Sequence, residues 1–222
     1  MGAIRVKLGL IPGMGNQMTP EIKDRVVGHQ QNCLDVEPTD AGFEVLFSRI
    51  RAEPGRNGPL AICHFGRRQL AVAIGNGMAP QLIRRLPIGI EVVTDQFFKH
   101  CPPTAVELER AIEAVENEVM RLHADVPPGC SLALAGEASE RLLEVSEGRR
   151  REDVEGIFQR LAAVSLGTPS AGIGLPSDNA FAASVLLLRE FMHHLGFEAV
   201  LPCAPEISPA AHAGDGLTAR AY

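Results

Sequence analysis

Tryptophan does not occur in this sequence, and the single tyrosine is its last residue, Tyr222. An aromatic platform for stacking sugars or bases is therefore not expected. Cysteine is sparse too: Cys33, Cys63, Cys101, Cys130 and Cys203 are odd in number, widely spaced and never in a C-x-x-C pair. That pattern excludes a disulfide framework and a structural zinc site, and makes a reducing cytoplasm the expected compartment. No run approaches the roughly 18–20 uninterrupted apolar residues of a membrane helix. Positive charge is not in excess either, with 21 Lys and Arg against 27 Asp and Glu and a net charge of −6. A nucleic-acid partner is not expected from that balance. The start, Met1 to Val6, has no apolar core for a secretory signal, and Val6 stands where myristoylation needs Ser or Thr.

What is present is a chain of 222 residues with 45% hydrophobic content. It is long enough for one large domain or two small lobes around a sizeable core. Ile4, Val6, Leu8 and Leu10 alternate as a strand, and Thr19-Pro20 opens a short helix to about Val27. The spacing of Phe43, Leu46, Phe47 and Ile50 predicts a helix from Asp40 to Arg51. Glu53 to Pro59 reads as a linker. Three strands follow in quick succession, at Leu60–His64, Gln69–Ile74 and Gln81–Leu86, with Gly75-Asn76-Gly77 as a hairpin turn.

Beyond them the pattern turns helical. A short helix is expected at Val92–Lys99. Thr104 and Glu107 form a capping box ahead of Leu108, Ile112, Val115, Val119 and Leu122 at helical spacing. Cys130–Ala135 reads as a buried strand ending at Gly136, and a helix is expected from Glu137 to Val145. Val154, Ile157, Phe158, Leu161 and Val164 mark another helix. The last long one starts near Asp178 and stops at Gly196, and Glu198–Leu201 reads as a final strand. A hairpin meander that crosses through helices to further strands is the layout of a ribonuclease-H-like core.

From the residues alone, candidate chemistry is thin. His64 at a strand end is a metal ligand or general base in one reading, and a structural core histidine in the other. No carboxylate stands at ligand spacing from it. His193-His194 suits the negative end of a helix, and Arg149-Arg150-Arg151 suits a solvated helix start. Cys63 reads as a small core residue rather than a nucleophile. Gly13-x-Gly15 is too short for a nucleotide fingerprint.

One resemblance adds to this. Leu60-Ala61-Ile62-Cys63-His64-Phe65-Gly66 stands where a strand ends in Asp-Ile-Gly-Gly-Gly-Ser in the exopolyphosphatase and guanosine pentaphosphate phosphohydrolase family. Arg84-Arg85-Leu86-Pro87-Ile88-Gly89 with Thr94-Asp95-Gln96-Phe97, and then Pro102-Pro103-Thr104 with Glu107-Leu108, resemble later segments of that family in its own order. Leu132 to Ser139, Gly174-Leu175-Pro176, His194-Leu195-Gly196 and Gly214 to Arg220 continue the series. The stretch from Leu60 to Tyr222 thus resembles the family's second lobe. The fold implied is α/β, a ribonuclease-H-like (actin-like) mixed sheet with flanking helices. It would span residues 58–222, behind a divergent N-terminal segment at 1–57.

The resemblance also implies where chemistry would sit. Two glycine-rich turns of the family cradle phosphate through backbone N–H groups, where a Cβ would block the approach. They correspond here to Gly66-Arg67-Arg68-Gln69 and to Gly136-Glu137-Ala138-Ser139. Gly66, Arg67, Arg68 and Gly136 are the phosphate-binding residues so implied. The family's metal-associated Asp is replaced by His64, and Glu137 puts a carboxylate beside an anion turn. For the catalytic Glu the only comparable residues are Asp40 and Glu37. The stretch before Leu60 is short for a full first lobe, so a homodimer or a partner subunit is expected to complete the cleft. No cofactor is firmly implied; magnesium would serve if hydrolysis survives. The expectation is a phosphate- or nucleotide-binding or regulatory relative with impaired catalysis. The alternative is an active phosphoanhydride hydrolase acting on polyphosphate or guanosine pentaphosphate.

Overall fold

The computed structural model describes residues 38–146 and 148–201. The strand expected at 4–10, the helix at 19–27, Glu37 and the segment Gly214–Arg220 lie outside them. The first element is helix α1, Asp40–Arg51, which opens at Thr39, whose hydroxyl accepts from the Gly42 N–H at 3.1 Å. Strands β1 (Leu60–Phe65), β2 (Leu70–Gly75) and β3 (Leu82–Leu86) follow, then α2 (Ile90–Phe97) and α3 (Ala105–Val119), which runs into a short 3-10 turn at Met120–Leu122. Strand β4 (Ser131–Ala135), α4 (Glu137–Val145), α5 (Arg151–Ser165), a 3-10 turn at Pro169–Gly172 and α6 (Asn179–Leu195) complete the order.

The four strands form one sheet in the order β3-β2-β1-β4. β2 is antiparallel to both of its neighbours, while β1 and β4 run parallel. This is the mixed α/β sheet of the ribonuclease-H-like layout. The β2–β3 connection spans residues 76–81, with Gln81 N–H donating to Ile74 C=O at 2.8 Å, and β3 begins at Leu82. One expectation needs correction. The final strand expected at Glu198–Leu201 is reduced to two isolated bridges, Val200 beside Leu132 in parallel and Ala199 beside Arg150. With so few paired residues it adds a fifth rung beside β4 without a ladder of its own.

Side-chain alternation splits the core between the two faces of the sheet. On one face Ala61, Cys63, Phe65, Leu70, Val72, Leu132 and Leu134 pack with α2, α3, α5 and α6, around the fully buried Phe181 and Phe191. On the other, Leu60, Ile62, Ala71, Ala73, Ala133 and Ala135 meet Phe43, Leu46, Phe47 and Ile50 of α1. Alanines on two of the strands, β2 and β4, let that helix lie close. Each of its four apolar side chains contributes about 2 kcal/mol of burial. Helix α1, which precedes the boundary expected at residue 58, is thereby packed on the sheet.

The termini follow local chemistry. Thr104 and Glu107 make the reciprocal capping box at the start of α3. Asp178 caps α6, and Gly196 ends it in the left-handed conformation at φ 74°. No helix among the described residues is long and apolar enough to cross a membrane.

Candidate functional site

Because β1 and β4 run side by side in the same direction, both of their C-terminal ends point to one edge of the sheet. β1 leaves that edge through the turn 66–69 into β2, and β4 leaves it through Gly136 into α4. The two glycines singled out in the sequence, Gly66 and Gly136, are therefore brought to the same edge by neighbouring strands.

Gly136 has φ 93° and ψ 160°, a combination that only glycine adopts without strain. A second constraint comes from His64, which pairs with Ala135 across the parallel ladder. A Cβ added at Gly136 would stand 2.8 Å from both Cδ2 and Nε2 of the His64 ring. The imidazole thus lies directly against the turn that opens α4. Burial pushes its pKa down from the ordinary histidine value to about 4, so the ring is neutral at pH 7.

The strand registers put His64 in a row with other side chains. Arg85 pairs with Ala71, Ala71 with His64, and His64 with Ala135, so all four belong to the face that carries α1. At the end of the row Arg85 reaches the start of α1, with Nη2 donating to Asp40 Oδ1 at 2.6 Å and to the Pro38 carbonyl at 3.3 Å. Asp40, expected from the sequence as a water-orienting carboxylate, is thus linked through Arg85 to the same edge of the sheet. Its carboxylate is already engaged by a guanidinium.

Arg67 and Arg68 lie on the turn itself but are drawn toward the opposite face. Arg67 Nε donates to Glu91 Oε1 at 2.7 Å, and Arg68 Nη1 lies 3.8 Å from Asp95 Oδ2. Both carboxylates belong to α2, which packs with the other half of the core. The backbone enforces this. Ile90 N–H donates to Gly66 C=O at 3.0 Å and Glu91 N–H to Arg67 C=O at 2.8 Å, while Gly66 N–H closes the turn on Gln69 C=O at 3.0 Å. A Cβ at Gly89 would fall 2.6 Å from the backbone of Arg67, Arg68 and Gln69. Glycine at 89 is therefore what lets the hairpin tip dock on the start of α2.

The remaining candidates lie elsewhere. Cys63 is fully buried and its thiol is pushed well up by burial, as a core residue requires. Arg150 and Arg151 pair with Glu152 at 2.9 Å and Glu198 at 3.1 Å around the start of α5. His194 joins an internal network on α6, with Nε2 3.1 Å from Oε2 of the buried Glu190. Among the described residues no three His, Cys, Asp or Glu side chains come together to hold a metal ion. Magnesium prefers oxygen donors; with an imidazole at residue 64 and Asp40 held by Arg85, those residues do not fit a magnesium site at this edge.

Compared with protein-family profiles and with curated proteins, the chain matches none. Solved structures do match. A PPX-GPPA enzyme of Aquifex aeolicus superposes with a TM-score of 0.55 at 17% identity, over 71% of this chain and 57% of that one. The type II variant of the Aquifex aeolicus Ppx/GppA phosphatase gives 0.57 at 15% identity, over 71% and 58%. An exopolyphosphatase from Cytophaga hutchinsonii gives 0.54 at 15%, over 72% and 58%. The fold is the one these structures share. The chain spans less than three fifths of the length of each of them.

Two residues of this edge were not singled out from the sequence as site residues. Arg85 was visible as part of a strand-like run, but its partner Asp40 lies 45 positions earlier. Gly89 was visible as a glycine after Pro87-Ile88, but its need for close backbone contact shows up only when the hairpin folds over it.

Proposed function

We propose that this chain is an exopolyphosphatase-like protein that binds phosphate chains or nucleotides without turning them over efficiently, and acts as a binding or regulatory subunit. The observation that carries the reading is the meeting of the Gly66 and Gly136 turns at the ends of two adjacent parallel strands. The Gly66 N–H is spent on closing its own turn, while the exposed Gly136 turn lets an anion come close to the backbone and opens a helix. The low likeness to Ppx/GppA and exopolyphosphatase structures supports the same reading through the fold.

What surrounds the turns supports the reading of impaired hydrolysis. A neutral, half-buried imidazole stands at residue 64, Asp40 is spoken for by Arg85, and Arg67 and Arg68 are matched by Glu91 and Asp95. Among these groups each carboxylate faces an arginine, and none is left free to orient water. A homodimer or a partner subunit is proposed to complete the binding cleft.

The test is an assay of phosphate release from polyphosphate, nucleoside triphosphates and guanosine pentaphosphate with magnesium, run beside calorimetric binding of inorganic tripolyphosphate. The expected result is binding in the absence of turnover. Turnover above the blank on any of the three would favour the alternative, an active phosphoanhydride hydrolase with Asp40 released from Arg85 to orient water. Neither binding nor turnover would remove both.

A further inference from the structure

We infer that His64 is a gate on the Gly136 turn. Its imidazole fills the space against that turn which a phosphate group must enter, and restricts this edge of the sheet to ligands able to displace it. The inference rests on the reading of this edge as a phosphate-binding one.

The argument begins with what else could stand at residue 64. Its neighbours on the same face of β1, Leu60 and Ile62, are apolar and buried against α1. A residue that served packing alone would follow them. An imidazole instead brings two polar nitrogens into a half-buried position, and among the described residues no hydrogen bond to either of them is formed; burial alone accounts for its shifted titration. Its nitrogens are not among the described buried polar atoms left without a partner, so they still reach water, and no bond to the protein fixes the ring against the turn.

Its placement decides what it controls. The ring atoms sit where a side chain at Gly136 would project. Gly136 keeps a glycine-only conformation, so the turn is bare of any side chain of its own. Bareness at such a turn lets an anion reach the backbone, yet here that space is taken by a side chain from the neighbouring strand. Ala71 and Ala135, which flank His64 in the row across the sheet, are too short to hinder the ring from turning. A change between staggered rotamers moves an imidazole by several ångströms at small cost. The turn is thus closed by a part that can swing away.

The experiment uses the full chain and inorganic tripolyphosphate. Calorimetry compares the wild type with His64→Ala and His64→Ser, with circular dichroism to confirm folding. Removal of the ring is expected to tighten binding by about tenfold or more. Variants that fold and bind no better than a wild type that does bind would overturn the gate and leave the phosphate-binding reading in place. Failure of wild type and variants alike to bind would remove the reading, and the gate with it. A readout on the unmodified chain stands beside these. The His64 ring signals, followed by nuclear magnetic resonance, are expected to titrate near 4 without ligand and at clearly higher pH with saturating tripolyphosphate, as the ring leaves its buried place. A midpoint that ligand does not move overturns the gate.

Discussion

Arg85 on the third strand donates from Nη2 to Oδ1 of Asp40 at 2.6 Å, joining the sheet edge to the first turn of α1. The pair is open to water, with side-chain exposures of 34% and 66%. Ion pairs of that kind contribute about 1 kcal/mol or less and weaken in salt. Asp40→Asn is expected to lower the unfolding free energy by less than about 1 kcal/mol in dilute buffer, and by less still in molar salt. Urea titrations at two ionic strengths measure both. A loss that is larger and indifferent to salt would mean that Asp40 does more than pair with Arg85.

Gly136→Ala is expected to destabilise by about 1–3 kcal/mol from backbone conformation alone, with a further contribution from contact with His64. The contact can be isolated by a double-mutant cycle. In the His64→Ala background the same Gly136→Ala change should cost less, with a coupling of about 1 kcal/mol. Strict additivity would show that the ring does not rest on the turn.

His64 also sets a pH dependence. Its pKa is ordinary in the unfolded chain and about 4 in the folded one. Between those values the unfolded chain binds more protons than the folded chain does. Stability attributable to His64 is thus complete above the ordinary histidine pKa and declines as pH falls toward 4. Thermal melts from pH 7 to pH 4 should show a shallower decline for His64→Ala than for the wild type. Parallel slopes would contradict a neutral imidazole in the folded chain.

Away from the strand ends, Arg189 is the prediction with the largest effect. It pairs with Glu155 at 2.7 Å and with the neighbouring Glu190, and its guanidinium lies 4.5 Å from the centre of the Phe158 ring. Glu190 is only 1% exposed. Arg189→Ala strips a buried carboxylate of one cation and is expected to cost about 3 kcal/mol. The joint change Arg189→Met with Glu190→Leu should be milder than the single one, because no charge is left buried without its partner. Thermal melts of the three proteins decide the order, and a harmless Arg189→Ala would refute the pairing.

The sequence reading succeeded where the determinants are local. Helix α1 was expected at the residues where it stands, because Phe43, Leu46, Phe47 and Ile50 mark one face. The Thr104–Glu107 capping box and the Gly196 stop are legible for the same reason. Gly66 and Gly136 could be named but not brought together, since their meeting depends on β1 and β4 pairing across more than sixty residues of intervening chain. The arginines of the turn looked available because Glu91 and Asp95 are remote in sequence until α2 folds back beside them. Glu198–Leu201 reads as a strand through its apolar run Ala199-Val200-Leu201 but finds only isolated bridges, which local pattern cannot foretell.

Gly89 has a mechanical consequence. With the peptide groups of Arg67 and Gln69 pressed against it and two hydrogen bonds crossing the seam, the hairpin tip and the first turn of α2 make one stiff joint. Hairpin tips ordinarily bend on their own; this one can shift only by carrying α2 along. Val92 and Val93 seat α2 in the same core as α6, and close-packed interiors transmit displacement rather than absorb it. Whatever pushes on residues 66–69 is therefore felt across the sheet, on the side remote from α1.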